Sequence, residues 1–435
     1  MNIEKYLLKK LNPVADDVVI HSSTSKTIQT KFVNNRIITT KEECSKGISI
    51  FVSIKKKLVS TSIRNFSKSS ADSSIREIVS FAKFAEPNPD FNGIAKGPFK
   101  YKTPSEMFDA KVIKVNSADI VGNTISIADK YGCRVSGVFE VSDVNDSILT
   151  SNKVEANDKG TSLYLSARCF KDDGSGHNTA VSRVLKRFDY KNAVESAAEL
   201  AVNSKNPQKV SPGGYSVLFH PLSFANLMNH VGDSCSVFSV ESGLSFFRDK
   251  LNQQVASDNL SVYDDGLIAN GLSSSKFDSE GYPTQRTELI SNGVLKNYLH
   301  NTSTAIKYKT KSTGNAGLIS PSPHNIVVSP GDRDYSELIK GMKKGLIVSH
   351  VWYTRFQNYS TGDFSTLPRD ATFLVENGRI VRPIKNIRIS ENLLNMLKNV
   401  KFLGKDTQQA HSWDAEMPVF TPSCVVENVN ITMPE

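Results

Sequence analysis

The chain has 435 residues, of which 39% are hydrophobic and 22% are charged, an ordinary composition for a soluble globular protein of two or three domains. No apolar run approaches the ~18–20 residues that a membrane-spanning helix needs, and the start of the chain has no signal-peptide core. These properties exclude an integral membrane protein and favour a cytoplasmic one.

The 53 Lys and Arg residues exceed the 44 Asp and Glu residues, which gives a net charge of +9. A basic balance can indicate nucleic-acid contact. The longest basic run, at residues 55–57, lies where a hairpin turn is expected, and no aromatic residues are interleaved with it. We therefore expect a solvated basic surface and no nucleic-acid site. The five cysteines form no CxxC pair, so neither a zinc ribbon nor a disulfide framework is indicated.

The first part of the chain predicts strands and then helices. Apolar and polar residues alternate across residues 27–64, around an Asn34-Asn35 turn and the turn at 55–57. Apolar residues at helical spacing predict a helix over residues 72–86, which ends before a proline. A second helix is expected over residues 117–130, between a serine cap and a glycine.

Strands are expected again over residues 133–170, in three pieces at 133–141, 147–153 and 160–170. The glycines and serines of residues 171–180 predict a turn. An alanine-rich stripe predicts a helix over residues 189–204. The Ser-Pro-Gly-Gly sequence at 211–214 follows it and predicts a domain boundary.

The second half of the chain predicts mainly antiparallel strands. Asn292-Gly293 and Asn377-Gly378 are each flanked by alternating apolar residues, the strongest local signal for a hairpin turn with positive φ. Helices are expected at residues 334–344 and 390–402, and a last strand at 423–431. The pattern indicates an α+β protein with an N-terminal α/β domain over 1–208 and a mainly antiparallel β domain over 209–435.

A helix that follows a short strand at 215–219 carries two histidines, His220 and His230. Ten residues at ~100° each rotate by ~1000°, so the two side chains face different sides of the helix. No Glu lies within this helix, and we expect capping or core histidines rather than metal ligands. Cys235 lies five residues after His230, which is not one helical face either, so a thiol nucleophile is not favoured.

Small, polar and acidic residues concentrate at residues 264–266, 277–290 and 360–365. One interpretation is turn chemistry, because Asp and Gly satisfy exposed backbone groups. The other is a groove that binds an extended peptide along a strand edge. The Gly-Ser-Gly-His sequence at 174–177 is too short for a phosphate loop, and no nucleotide-binding glycine motif follows a strand.

Seven segments, in this order, resemble one known family, the TldD/PmbA peptidase-like proteins, across nearly the whole chain. They are GISIFVSIKKKLVSTS, SPGGYSVLFHP, FDSEGYPTQRTELISNGVLKNYLHNTSTA, STGN, NIVVSPGD, STGDFS and FLVENGRIVRPI. The resemblance implies an N-terminal α/β region followed by a curved, barrel-like antiparallel sheet with inserted helices. It also implies a cytosolic dimer of a catalytic TldD-type subunit and a TldE/PmbA-type subunit.

In the catalytic type, a HExxxH helix and a later cysteine in a CGKxGQ-like turn bind zinc, and the Glu activates a water. Matched from His220 onward, the first His becomes Asn229, the Glu becomes His230 and the second His becomes Ser234. In the FLGKDTQ turn, Leu403 stands where the thiolate would be. If the match is shifted by one residue, His230 and Cys235 take the two His positions, and Val231 takes that of the Glu.

The resemblance therefore implies a TldE/PmbA-type subunit with no catalytic residue and no metal of its own, and zinc in a TldD-type partner. We expect a heterodimer with such a paralogue, with a homodimer also possible, and a peptide substrate. The expected substrate contacts are Thr284, Arg286, Asp363 and Phe364. Two alternatives stay open: a self-sufficient peptidase whose metal is held by His220, His230 and a distant Asp or His411, and a peptide-binding module without enzyme activity.

Overall fold

The computed structural model describes residues 2–433. In its first half, a six-stranded sheet is covered by helices. The elements are α1 (Ile3–Leu11), β1 (Asp17–Val33), β2 (Arg36–Ile54), β3 (Lys57–Ile63), α2 (Lys68–Phe84), α3 (Ser117–Lys130), β4 (Arg134–Thr150), β5 (Glu155–Lys171), β6 (Gly174–Ser182) and α4 (Tyr190–Asn203), with 3-10 turns at Val112–Lys114 and Leu185–Arg187.

The first-half sheet has the order β3-β2-β1-β4-β5-β6, and its strand pairs are all antiparallel. Helices α1 and α2 pack on β1–β3 through a core that contains Leu7, Ile50 and Ile78. Helices α3 and α4 pack beside β4–β6 around Phe139 and Ala197. One sheet therefore supports two separate apolar cores.

The second half contains many short strands and a central helix. Its elements are β7 (Gly213–Phe219), α5 (Pro221–Ser234), α6 (Val237–Glu241), β8 (Val262–Asp265), β9 (Arg286–Ser291), β10 (Val294–Leu295), α7 (Thr302–Lys307), β11 (Ile326–Val328), α8 (Tyr335–Lys340), β12 (Lys344–Asn358), β13 (Asp363–Glu376), β14 (Arg379–Pro383), β15 (Arg388–Asn392), α9 (Leu393–Lys398), β16 (Val400–Leu403), β17 (Gln408–Ser412), β18 (Ala415–Thr421) and β19 (Cys424–Thr432).

Five of these strands close into a ring in the order β12-β7-β19-β15-β13, because β12 also pairs with β13. The ring is antiparallel except for the pair β7–β12. A second sheet has the order β10-β9-β8-β11-β18-β17. Helix α5 packs between the ring and this sheet and is buried along most of its length. The α+β class with a barrel-like sheet and inserted helices is confirmed, whereas the division of the chain at 208/209 stays a prediction.

Two predictions between residues 133 and 182 are wrong. Instead of three strands there are two long ones, β4 and β5, and the turn expected over 171–180 belongs mostly to strand β6. The polar residues 142–146 remain extended because each is paired with β1 on one side and β5 on the other. Pairing with neighbouring strands thus outweighs the local preference of Asp, Asn and Ser for turns.

The predicted ends of several elements also differ from the structure. The first strand begins at Asp17, not at residue 27, and the helix expected over 390–402 is confined to Leu393–Lys398. Residues 389–392 pair with β13 instead, and the Asn392 side chain accepts a hydrogen bond from the Asn395 N–H at 3.2 Å. That bond caps the helix and fixes its start. Within residues 2–433, no helix is both long and apolar enough to cross a membrane.

Candidate functional site

Helix α5 is the element on which the resemblance places the metal ligands. Strand β7 leads directly into it, His220 occupies the N-cap position, and Pro221 is the first helical residue, where its missing N–H costs nothing. The His220 side chain does not cap the helix; its Nε2 shares a hydrogen bond with the Tyr335 hydroxyl. His220 therefore has a structural role.

The matched positions on α5 are used for packing and for structural hydrogen bonds. Asn229 is buried, and its Nδ2 donates to the Met417 carbonyl at 3.3 Å. Ser234 is also buried, and its carbonyl accepts a hydrogen bond from the Ser245 hydroxyl at 2.6 Å. The amide of Asn229 is thus already committed to the neighbouring strand β18.

His230, at the position of the catalytic Glu, lies with its ring 4.9 Å from the Phe356 ring. Burial, together with the nearby Arg355 charge, lowers the pKa of His230 to about 4. The imidazole is therefore neutral near pH 7. In the shifted register the second ligand is Cys235, and burial raises the pKa of its thiol far above the usual range, so no thiolate is available there.

Leu403, at the position of the zinc thiolate, ends β16 and is 5% exposed. It lies opposite Cys424 in the ladder and belongs to the same core cluster as Phe219. Burial also raises the pKa of the Cys424 thiol well above its usual value. With an apolar side chain here and an engaged amide at Asn229, these residues do not fit the zinc that a HExxxH helix and a cysteine hold.

The alternative ligand set of His220, His230 and His411 is not assembled. His411 lies 5.4 Å from the Tyr164 ring, while His220 faces Tyr335 and His230 faces Phe356. In the part of the chain that the structure describes, these three do not come together as a ligand group. The expectation of an atypical metal site built on them is therefore wrong.

A different trio, His177, His350 and Asp370, brings its potential ligand atoms within 4.8 Å of one another. The carboxylate is already engaged: Asp370 Oδ2 lies 3.2 Å from His350 Nδ1 and 3.1 Å from Arg168 Nη2. His350 Nε2 is 3.4 Å from Asp414 Oδ2, an ion-pair distance without hydrogen-bond geometry. A fixed guanidinium beside the carboxylate opposes a second cation, so this cluster is an ion network.

The pKa values within this network follow from its contacts. Burial would raise the pKa of Asp370, but the hydrogen bond with His350 and the charge of Arg168 outweigh burial and lower that pKa below its usual value. Burial would lower the pKa of His350, yet its interactions with Asp370 and Asp414 raise the pKa overall. Burial and the neighbouring His350 lower the pKa of His177. The network thus places the Arg168 guanidinium and the His350 imidazole against the carboxylates of Asp370 and Asp414.

Two of the expected substrate contacts are buried, which corrects the expectation for them. The Thr284 side chain is 4% exposed, and its hydroxyl donates to the Ser275 carbonyl. Phe364 is 2% exposed, and its ring lies 5.7 Å from that of Phe356 inside the core. A bound peptide cannot touch either side chain in this arrangement.

Asp363 is exposed, and its carboxylate stabilises the turn in which it lies. Its Oδ1 accepts a hydrogen bond from Asn392 Nδ2 at 2.8 Å, and its Oδ2 accepts one from the Thr361 hydroxyl at 2.5 Å. These hydrogen bonds lower the pKa of Asp363. The structure therefore gives Asp363 a role in stabilising the turn. Its contact with substrate stays a prediction.

Arg286 is exposed and lies in a cleft of about 1340 Å³. The cleft runs along the start of β9, between α6 and the segment that follows α7. Sequence reasoning found Arg286 but missed Lys296, Lys309 and Lys311, which line the same cleft. The run of alternating lysines at 307–311 was the one local signal that could have revealed them.

Comparison with known proteins shows the family to which the chain is similar. A family model described as "PmbA/TldA metallopeptidase C-terminal domain" matches residues 212–433. The chain is 30% identical over 379 residues to a protein named "Metalloprotease PmbA homolog" from Haemophilus influenzae, covering 83% of this chain and 81% of that one. The chain belongs to the TldD/PmbA family.

Two further family members extend the comparison. "Metalloprotease PmbA" from Escherichia coli O157:H7 is 33% identical over 205 residues, 46% of this chain and 44% of that protein. The crystal structure of TldE from Thermococcus kodakarensis matches with a TM-score of 0.89 at 21% identity and covers 99% of this chain and 100% of that one. The likeness to TldE shows a shared TldD/PmbA fold.

Proposed function

We propose that this chain is the metal-free, TldE/PmbA-type subunit of a cytoplasmic, heterodimeric zinc metallopeptidase. Its TldD-type partner carries the zinc, and this chain shapes the groove that binds an extended or unfolded peptide for proteolysis or peptide maturation. The observation that carries the proposal is the residue set at the zinc positions. Asn229, Ser234 and Leu403 replace two imidazoles and a thiolate.

The chemistry of peptide hydrolysis supports this assignment. A zinc peptidase needs three protein ligands and a general base that takes a proton from the metal-bound water. In one register the base position holds the neutral imidazole of His230, and in the other it holds Val231. Neither register supplies a carboxylate, so hydrolysis requires residues of another subunit.

The cleft beside β9 supports a role in peptide binding. Strand β10 pairs with β9 only at Ser291 and Ile290, so residues 286–287 have β8 on one side and no strand on the other. The next carbonyl, that of Glu288, already accepts a hydrogen bond from Asn297 Nδ2 at 2.8 Å. A free strand edge offers backbone donors and acceptors to an extended peptide. Because one chain forms the whole cleft, a peptide-binding module that acts without a partner is the second candidate function.

Co-expression with a HExxxH-bearing paralogue from the same genome tests the proposal. We expect no stoichiometric zinc in the isolated chain, about one zinc per heterodimer, and peptide hydrolysis only by the heterodimer. A Glu→Gln change in the HExxxH motif of the paralogue is the matched control, and it should abolish hydrolysis while the complex still forms. Stoichiometric zinc together with hydrolysis in the isolated chain would refute the proposal. Peptide binding without any complex would favour the second candidate.

A further inference from the structure

The charge of the cleft beside β9 is strongly asymmetric. Its charged side chains are six basic and three acidic: Arg248, Arg286, Lys296, Lys307, Lys309, Lys311, Glu241, Asp249 and Glu288. The net charge of the cleft is therefore +3, from six minus three, within a chain whose total is +9. A concave surface lined by one sign of charge concentrates ligands of the opposite sign.

Internal ion pairs neutralise only part of this charge. Lys307 Nζ lies 2.7 Å from both Glu241 and Asp90, and hydrogen bonds to these two carboxylates raise the pKa of its ammonium above the usual range. Arg248 is 3.6 Å from Asp249. Arg248 and Asp249 neutralise each other, whereas Lys307 with its two carboxylates has a net charge of −1.

Four basic side chains remain without such a partner. Among residues 2–433, no carboxylate lies within 4.0 Å of the charged nitrogens of Arg286, Lys296, Lys309 or Lys311. All four side chains are exposed, and Glu288 is the one lining carboxylate that faces them without an ion pair. When Asp90 beside Lys307 is counted as well, the cleft keeps a net positive charge of about two units.

Arg286 is the best-ordered of these groups because its guanidinium carbon lies 3.9 Å from the centre of the Tyr263 ring. Stacking on an aromatic ring holds the planar guanidinium in one orientation and leaves its N–H groups free to bind in the plane. Such an arrangement favours two parallel hydrogen bonds to a carboxylate. Arg286 also begins β9, the strand that carries the free edge.

We propose that this cleft selects extended peptide segments that carry acidic side chains, and that Arg286 binds one of their carboxylates. The peptide adds to the free edge at residues 286–287, while Lys296, Lys309 and Lys311 attract its remaining negative charge. The inference rests on the proposed function for the peptide class and deepens it by naming the preferred side chains. Alternate residues of an added strand face the same side, so acidic residues two apart fit best.

Nucleic acid fits the cleft less well than an acidic peptide. A phosphate backbone carries one negative charge at every residue and would approach Glu241, Asp249 and Glu288 on the walls. Its phosphate oxygens accept hydrogen bonds from backbone N–H groups, but they supply no donors for the carbonyls of a strand edge. The free edge is what distinguishes the two ligands.

Fluorescence anisotropy with labelled peptides tests the proposal on the full-length chain. The probes are Ac-VTEVEV-NH2, its neutral counterpart Ac-VTQVQV-NH2, and the neutral sequence with a free carboxyl end. At low salt we expect the acidic peptide to bind about tenfold more tightly than the neutral amide, and this difference should shrink at high salt. Equal binding of the first two peptides would overturn the proposal. Preferential binding of the free-acid probe would do the same, since it would assign the site to terminal carboxylates.

Variants locate the site within the cleft. Arg286→Gln should remove most of the preference, Arg286→Lys should keep only part of it because a lysine cannot form the two-bonded fork, and Lys311→Gln should weaken it moderately. Lys9→Gln changes an exposed lysine on α1 by the same charge and should have no effect. An equal loss in Lys9→Gln and Arg286→Gln would contradict the assignment, as would displacement of the acidic peptide by equimolar single-stranded DNA.

The test separates this inference from the proposed function. In the heterodimer, Arg286→Gln should lower hydrolysis of acidic peptides more than hydrolysis of neutral peptides, and Lys9→Gln should change neither. If neither substrate responds but hydrolysis still requires the heterodimer, the acidic preference is refuted and the subunit role stands.

Discussion

His350 on β12 and Asp370 on β13 form a buried pair in which His350 Nδ1 lies 3.2 Å from Asp370 Oδ2. Arg168 on β5 reaches the same oxygen from the first-half sheet at 3.1 Å. Asp370 has a φ of +65° at an irregularity between β12 and β13, which turns its side chain towards this network. One carboxylate therefore connects the first-half sheet to the ring of the second half.

We expect Asp370→Asn to lower the free energy of unfolding by ~3 kcal/mol, because it removes the buried carboxylate that Arg168 and His350 share. Asn tolerates a positive φ as well as Asp does, so the substitution changes the charge and preserves the backbone. Urea denaturation at pH 7 measures the loss. Asp119→Asn on the exposed face of α3 is the matched control and should change stability little. Equal effects in the two variants would contradict the role of Asp370.

The buried carboxyl of Glu280 should make the protein less stable as the pH rises from 4.5 to about 8. Its carboxyl is 2% exposed and accepts long hydrogen bonds from the N–H groups of Ala95 and Thr302, at 3.3 and 3.4 Å. Burial and the charge of Asp278 raise the pKa of Glu280 from 4.5 to about 8. Between these pH values the folded chain holds a proton that the unfolded chain has released, so the free energy of unfolding falls as pH rises.

Glu280→Gln keeps the neutral form at every pH and should flatten this dependence between pH 6 and 8. The melting temperature of the variant should exceed that of the parent at pH 8 and approach it near pH 5. Thermal unfolding across this range measures both curves. Glu77→Gln on the exposed side of α2 should retain the parental slope. An unchanged slope in Glu280→Gln would show that Glu280 is ionised in the folded chain.

Phe364 should behave as a core residue and not as a substrate contact. Phe364→Ala should cost ~3–5 kcal/mol in the free energy of unfolding, because it removes a buried ring and leaves a cavity. Phe364→Leu should cost less, and the folded protein should bind peptide as the parent does. Denaturation and anisotropy on the same samples separate the two effects. Loss of peptide binding at full stability would restore a contact role for Phe364.

Chelation should leave the isolated chain unaffected. Because Arg168 and His350 already neutralise Asp370, we expect the melting temperature to be the same before and after dialysis against EDTA. The TldD-type partner, treated in parallel, is the positive control and should lose stability or activity. A drop of several degrees in the isolated chain would instead indicate a metal at His177, His350 and Asp370.

The two Asn-Gly hairpin turns of this structure follow from local chemistry alone. Asn292-Gly293 and Asn377-Gly378 adopt the positive φ values that their hairpin turns require, 45° and 78° in the first and 50° and 73° in the second. The two Asn-Gly turns follow from backbone sterics within a few residues. The residue types at 229, 234 and 403 likewise argue against a hydrolytic zinc without reference to any fold.

The alternation and spacing of apolar residues predicted the α+β class but not the pairing between strands. The closure of the ring by β12 and β13, the length of β4 and β5, and the strand at Gly174–Ser182 depend on pairing with partners distant in sequence. Propensity is a local quantity, and it cannot register hydrogen bonds that a neighbouring strand supplies.

The candidate sites also depend partly on residue type and partly on contacts between distant segments. The sequence by itself gives the side-chain types at the positions matched to the family's zinc ligands, Asn229, Ser234 and Leu403, because residue type does not depend on the fold. Only the tertiary structure decided that Phe364 and Thr284 are buried, that Arg286 shares a cleft with three distant lysines, and that Arg168 meets Asp370. Burial and charge pairing depend on which segments come into contact, and those contacts exist only once the chain has folded.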